Sequence, residues 1–332
     1  MEKSYIWHLE IRAWMQFEES HSVVSLIAPI YGVERFMRRF AESVLGQSYP
    51  YIQFIFVNDG TKDSSMEILD SVIRESYSHL RERIVIVNKE NEGLPAARRT
   101  GMEYANGDYV WHIDSDDWIE TDAVAKIVDC VRESDADVVY FNFYRELGEK
   151  TELVVENDYD CSRKALYQTD MFNHKAYGCV WNKCVKRRLY EDNPVHFSRY
   201  PHAEDTILMS QLIGYAGSIV HLNDALYHYR KDNPDALTRE NPRKRRRELL
   251  LNYMSLYEIY REASSSPVLP IMDHLFYRAG RYSLIYRLGL FERYPYLADK
   301  ILESEIQWHS ATSVPAQIIL KAYACIRRKI RI

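Results

Sequence analysis

The stretch GDYVWHIDSDDWIETDAV, Gly107 to Val124, is an apolar run that climbs straight into Asp114, Ser115, Asp116 and Asp117. A strand destined for a core seldom ends in three carboxylates without a use for them. In an extended segment residues i and i+2 point to the same side, so Asp114 and Asp116 converge while Ser115 turns away. Two hard oxygen ligands so placed suit Mg2+ or Mn2+, which combines one or two protein carboxylates with substrate phosphates. The alternative is that Asp116 and Asp117 only open the next loop or helix, where acids are favourable whatever their job.

The elements that must position these acids alternate. VVSLIAPIY (Val23 to Tyr31) reads as a strand, and Phe36, Met37, Phe40, Val44 and Leu45 follow at helical spacing. YIQFIFVNDG, RIVIVNKE and YVWHID read as further strands, separated by the helical segments SSMEILDSVIRESY and PAARRTGMEYA. Pro95 fits the first turn of the latter helix. TDAVAKIVDCVRES and ADVVYFNFY continue the pattern as helix and strand. Such alternation predicts βαβ units in an α/β fold, with a mostly parallel sheet whose strands are buried on both faces. Ligands of such sheets bind outside the carboxyl ends of the strands. Those ends are Pro29 to Tyr31, Asn58 to Gly60, Asn88 to Asn91 and Asp114 to Asp117, and three of the four carry acid or amide groups. The chain has neither the dinucleotide fingerprint GxGxxG nor the P-loop GxxxxGK(S/T), so a metal would have to replace a glycine loop at any nucleotide's phosphates.

Composition narrows the classes. The 332 residues include 46% hydrophobic side chains, enough for a large core and an appended region. A net charge of −5 argues against nucleic acid as a partner of the whole chain. The five cysteines form no CxxC, which disfavours a disulfide framework or a zinc site and fits a reducing, cytoplasmic setting. No stretch is apolar for long enough to span a bilayer. The N-terminal residues 1–21 lack the features of a signal peptide and read as a peripheral extension.

The ordered motifs resemble those of the inverting family-2 nucleotide-sugar glycosyltransferases of the GT-A fold. SLIAPIYG is similar to the family's opening S-x-I-x-P-x-Y-N, with Gly32 in place of Asn. VNDGTKDS is similar to V-D-D-G-S-x-D, with Asn58 for the first Asp. NEGLPAARRTGMEYANGDYVWHIDSDD follows N-x-G-x-x-x-A-R-N-x-G-x-x-x-A-x-G-x-Y-x-x-x-x-D-x-D-D, with Arg99 where Asn is usual. The resemblance covers Val23 to Tyr144 and resumes from Tyr177 to Arg239. It implies a Rossmann-like sheet flanked by helices. Pro29 and Tyr31 would border the base, and Asp59 would accept a hydrogen bond from a uracil or guanine N–H. Arg98 would lie near the base or the phosphates, Asp114 near the ribose, and Asp116 would ligate Mn2+ or Mg2+. Blander readings stand beside these: a core tyrosine, a turn-forming aspartate before Gly60, a solvated helical arginine.

The second stretch carries WNK (Trp181 to Lys183) and, in HFSRYPHAEDTILMSQLIGY, the pair Glu204–Asp205 at a predicted helix start. The resemblance implies that this pair holds the general base. Asp205 would take the acceptor hydroxyl's proton as it attacks the anomeric carbon. The helix dipole would lower its pKa and keep it ionised. His202 is the alternative base on chemical grounds. Trp181 either stacks on a sugar ring or packs in the core, and Lys183 either counters a phosphate or is solvated.

The resulting division is an extension over 1–21, a glycosyltransferase domain over 22–239 and a helical region over 240–332. The domain splits into a nucleotide half, 22–145, and an acceptor half, 146–239. The last segment, AQIILKAYACIRRKIRI, sets Ile319, Ala322, Tyr323, Ile326 and Ile330 at helical spacing beside Lys321, Arg327, Arg328, Lys329 and Arg331. Such a helix lies on an anionic membrane surface, here the inner face of the plasma membrane, or packs on the domain with a solvated basic face. The expected activity is transfer of a sugar, with inversion, from a nucleoside-diphosphate donor, UDP-sugars foremost. The acceptor would be a saccharide or lipid-linked hydroxyl, in polysaccharide biosynthesis. Two other classes compete: a non-catalytic nucleotide- or sugar-binding module of the same fold, and a metal-dependent nucleotidyltransferase. The latter would carry a Gly-rich basic loop after the first strand, and APIYGVERF is not one.

Overall fold

The computed structural model describes residues 21–234, 236–237, 241–260, 281, 290–294, 296–303, 321–325 and 328. Residues 1–20 and most of the periodic segment from Met272 to Leu290 lie outside them.

The first half follows the predicted alternation. β1 (Val24–Ile30) has every residue buried, as a strand covered on both faces must. It lies between β2 (Ile52–Asn58) and β4 (Tyr109–His112), parallel to both, and β3 (Ile84–Asn88) extends the parallel set beyond β2. Helix α1 (Glu34–Leu45) buries Met37, Phe40, Ala41, Val44 and Leu45, a one-sided stripe with the 3.6-residue period. Burying side chains of this size stabilises by about 1.5–3 kcal/mol each for the large ones. Helix α2 (Ser65–Ser76) packs beside α1. Helix α3 (Leu94–Glu103) lies on β1 and β2, with Pro95 in its first turn. Its Gly101 faces the sheet so closely that a Cβ there would stand 2.3 Å from Ile27 Cγ2. The close approach draws Arg98, one turn earlier on the same face, into the interior.

Beyond β4 the sheet becomes mixed. The strand order is β3-β2-β1-β4-β8-β6-β9-β5, with β7 paired to β6. β8 (Lys183–Lys186) is inserted antiparallel to both β4 and β6 (Val138–Leu147). β9 (Ile219–Arg230) runs parallel to β6 with a shift of register at Asn142, and the short β5 (Trp118–Ile119) pairs antiparallel with β9. This topology brings the end of β9 back over the acidic segment that follows β4. Helix α4 (Ala123–Ser134), β7 (Lys150–Val154), α5 (Lys164–Phe172), α6 (Arg188–Glu191) and α7 (Glu204–Tyr215) complete the domain.

The helical region is attached, not separate. In α8 (Pro242–Tyr260), Leu250, Leu251, Tyr253 and Met254 share one core cluster with Phe172 of α5 and Ile207 of α7. The same cluster takes in Leu290 and Phe291 of α9 (Leu290–Arg293) and Leu297 of α10 (Leu297–Glu303). It also holds the described part of the last segment: Ala324 is buried, Tyr323 rests on Phe291 at a ring distance of 5.0 Å, and Arg328 Nε lies 3.3 Å from Asp299 Oδ1. Tyr323 and Ala324 therefore face protein. Ile319, Ile326 and Ile330 lie outside the described residues. No helix among the described residues is long and apolar enough to cross a membrane.

Candidate active site

The acids after β4 lie in a turn, closed by the Asp117 amide donating to the Asp114 carbonyl at 3.2 Å, and not in the extended segment that the i/i+2 alternation assumed. Ser115 is buried and its hydroxyl donates to the Pro29 carbonyl at 2.7 Å, which pins the acidic segment to the end of β1. Asp114 and Asp116 meet other partners. Asp114 Oδ1 lies 2.6 Å from Arg98 Nη2. Asp116 Oδ2 accepts from Asn233 Nδ2 at 2.7 Å, and the Asp116 carbonyl accepts from Arg230 Nε at 3.0 Å. Asp117 is buried and serves the fold: its oxygens accept from the Tyr227 hydroxyl and the Arg230 amide, each at 2.7 Å. Burial raises the Asp116 carboxyl pKa, and the neighbouring Asp114 raises it further. Asp117 is pushed well up by burial and then by Asp116 and Asp114. A divalent cation beside the segment would oppose both upward shifts. Among the described residues, no three His, Cys, Asp or Glu side chains converge to hold a metal by themselves. Asp116, oriented by Asn233, fits a cation that draws its other ligands from substrate phosphates.

Asp59, at the end of β2, is buried and accepts three hydrogen bonds. Lys89 Nζ (2.9 Å) and the Glu92 amide (3.1 Å) reach Oδ1, and the Gly93 amide (2.8 Å) reaches Oδ2. It fixes the loop between β3 and α3, where Gly93 takes φ +89°, a conformation that side chains resist. A carboxylate has about four lone-pair sites, so roughly one is left for a ligand. Tyr31 stands 55% exposed at the end of β1. Beside it the Gly32 amide donates to Thr61 Oγ1 at 2.9 Å. Pro29, Tyr31, Asp59, Asp114 and Asp116 therefore all occupy carboxyl ends of the parallel strands or the turns directly after them.

Arg98 is not the solvated helical arginine of the blander reading. It is 1% exposed and faces two carboxylates, Asp114 and Glu204, the first residue of α7. A buried guanidinium needs such partners, and it ties the nucleotide half to the acceptor half. Next to Glu204, Asp205 is half-buried, with Oδ1 accepting from the Thr206 amide at 2.8 Å. Its pKa is raised, not lowered: burial is the largest influence, and the nearby Arg98 charge opposes it without reversing it. The dipole expectation fails because a helix end is worth about 0.3–1 kcal/mol at exposed sites, less than desolvation costs a carboxylate. His202, the alternative base, is buried, with Nε2 3.6 Å from Glu248 Oε2 of α8.

Of the two readings of Trp181 the packing one holds, and both readings of Lys183 are corrected. Trp181 is buried and stacks on Tyr227 (4.6 Å, 15°) and Tyr229 (5.0 Å, 29°), with Phe143 at its edge. It is a core residue, because aromatic partners already cover it. Lys183 is neither a phosphate contact nor solvated. It is 1% exposed, and its ammonium donates to the carbonyls of Tyr177 (2.7 Å) and Cys179 (2.9 Å) and to Asn182 Oδ1 (2.6 Å). It closes the loop before β8 from inside. Lys183→Met should lower stability by about 2–4 kcal/mol, because buried acceptors are left without donors. Urea unfolding measures this, and an unchanged midpoint would contradict the assignment.

The sequence reading missed Lys89, Tyr227, Arg230 and Asn233, which orient the acids. Their one local signal is position: Tyr227, Arg230 and Asn233 cluster in YHYRKDN, at the end of a strand.

Comparison with known proteins accords with this arrangement. The family described as Glycosyl transferase family 2 matches residues 25–193, which span β1 to the loop after α6. The chain belongs to glycosyl transferase family 2. Glycosyltransferase GlyA of Streptococcus pneumoniae is 33% identical over 220 residues, covering 62% of this chain and 30% of the relative. Putative glycosyltransferase EpsH of Bacillus subtilis is 31% identical over 213 residues, covering 62% of this chain and 60% of its own. The chain thus spans less than two thirds of the length of either. A third relative, the minor teichoic acid biosynthesis protein GgaB of B. subtilis, is 26% identical, with 62% of this chain and 23% of that one covered. Among solved structures, Staphylococcus aureus TarS 1–349 in complex with UDP-GlcNAc has a TM-score of 0.59 at 16% identity, covering 92% of this chain and 81% of that one. The mannosyltransferase PcManGT from Pyrobaculum calidifontis, in complex with GDP-Man and Mn2+, has a TM-score of 0.51 at 16% identity, covering 98% and 89%. At such identity the structural likeness shows the fold alone, the GT-A fold.

Proposed function

We propose that this glycosyltransferase moves a sugar from a nucleoside-diphosphate donor to a hydroxyl of a saccharide or lipid-linked acceptor, with inversion, in the building of a surface polysaccharide. The observation that carries the reading is the opposition of two acidic groups across Arg98. Asp114 of the nucleotide half and Glu204 of the acceptor half meet the same guanidinium, with Asp116 and Asp205 close to them in the chain. Pro29 and Tyr31 border the base, and Asp59 orders the β3–α3 loop around it with one acceptor site left for a base N–H. Asp114 lies towards the ribose. Asp116 would hold Mn2+ or Mg2+, which would offset the charge gathering on the departing diphosphate. Asp205 takes the acceptor's proton. Burial raises its proton affinity, which strengthens it as a base once ionised. A nucleotide- or sugar-binding module needs no such group. The relative named for teichoic acid biosynthesis and the neighbours bound to UDP-GlcNAc or GDP-Man support the substrate class. The C-terminal membrane contact has no part in this proposal, because Tyr323 and Ala324 are used in packing.

A panel of UDP-, GDP- and dTDP-sugars tests the reading. Nucleoside diphosphate should be released from at least one donor, UDP-sugars first, and chelation of divalent cations should stop the release. Release that survives chelation would contradict the metal's part. No release across donors and acceptors, with tight nucleotide binding, would favour the binding module.

A further inference from the structure

The loop that delivers the proposed base, residues 200–203, is held from outside the glycosyltransferase domain. Asn252 lies in α8, is 3% exposed, and bonds this loop three times. Its Nδ2 donates to the carbonyls of Tyr200 (2.7 Å) and His202 (3.0 Å), and its Oδ1 accepts from the Tyr200 amide (3.2 Å). One turn earlier on the same helix face, Glu248 meets His202. The next residue, Ala203, takes the left-handed conformation (φ +60°), and it caps α7 without any side-chain hydrogen bond. A non-glycine residue held there costs of order 1–3 kcal/mol and persists only where its surroundings over-determine it. Asn252 holds the chain before Ala203, and the Arg98–Glu204 ion pair holds it directly after. Asp205 comes next.

We infer that Asn252 is a positioning residue for the transfer reaction: it fixes the strained turn at Ala203 and thereby the place of Asp205, so that one side chain of helix α8 serves the site. This rests on the reading of Asp205 as the base. A base displaced by about 1 Å can lose about 10²-fold in rate. Asn252 touches neither Asp59, Asp114 nor Asp116, so donor affinity is not its concern.

Asn252→Asp tests this with little change of shape, because a carboxylate cannot donate to the two carbonyls. Single-turnover transfer should fall about 10–100-fold, while the Kd for the nucleoside diphosphate with Mn2+ stays within about twofold. In an Asp205→Asn background the same change should cost almost nothing further, because groups acting through one another are non-additive. Leu251→Ala, a core truncation of the same helix, supplies the control for general loosening: at matched temperature below both melting transitions its transfer should stay within about threefold of the parent. Equal losses from Asn252→Asp in both backgrounds, or an equal loss in Leu251→Ala, would overturn the inference. Asp205→Asn turning over at the parent rate would instead refute the base assignment, a separate and recognisable result.

Discussion

Asp205→Asn should reduce sugar transfer by about 10²–10⁴-fold, the usual worth of a general base. The amide keeps the shape and the bond from the Thr206 amide but cannot take a proton at neutral pH. Nucleotide affinity should stay near the parent value, because Pro29, Tyr31, Asp59 and Asp116 lie on other elements. The pH profile adds a second readout. The Asp205 pKa is raised by burial. Below it the group is protonated and idle, and above it the group is ionised and competent. Transfer should therefore rise with pH along a limb displaced above the ordinary carboxylate range. The Asn variant should lose that limb. If transfer survives in Asp205→Asn and disappears in His202→Ala, the base is His202, despite its burial against Glu248.

Asp116→Ala should abolish transfer and the metal dependence of nucleotide binding, with the fold intact. The Asp116 side chain bonds Asn233, beyond the end of β9, whereas its neighbour Asp117 ties β9 itself to the loop through Tyr227 and Arg230. Asp117→Ala should therefore act on stability first, a contrast that thermal unfolding of the two variants resolves. Full turnover in Asp116→Ala, assayed with a working donor, would exclude it as the metal's anchor.

The parallel half of the fold was legible because its signals are local. β1 and β2 are continuous apolar runs, α1 has a clean stripe, and Pro95 marks the start of α3. The i/i+2 alternation assumed for Asp114-Ser115-Asp116 gave way to a turn, closed from the Asp117 amide to the Asp114 carbonyl, although Ser115 does bond Pro29 apart from the acids. What stayed hidden depends on contacts across the chain. Asn233 reaches Asp116 over 117 positions and Tyr227 reaches Asp117 over 110. β8 could not be foreseen between β4 and β6, because KCVK is too short to declare its partners. Trp181 stayed between two readings, and Lys183 was misplaced, for the same reason. A tryptophan or lysine beside a motif looks available for a ligand until the tertiary structure supplies Tyr227, Tyr229 and three buried acceptors. Arg98 shows the limit in another form. Its sequence context gives an exposed-looking RR in a helix, yet the close packing at Gly101 carries the first arginine inward to join two carboxylates from different halves.

The central claim is a single displacement in which Asp205 activates the acceptor on the face opposite the departing diphosphate. The most direct test is the anomeric configuration of the first product, read by NMR during turnover with the donor that the panel identifies. An α-linked donor should give a β-linked product, with no α-anomer forming before it. A product that retains the donor's configuration would contradict the single displacement and with it the role assigned to Asp205.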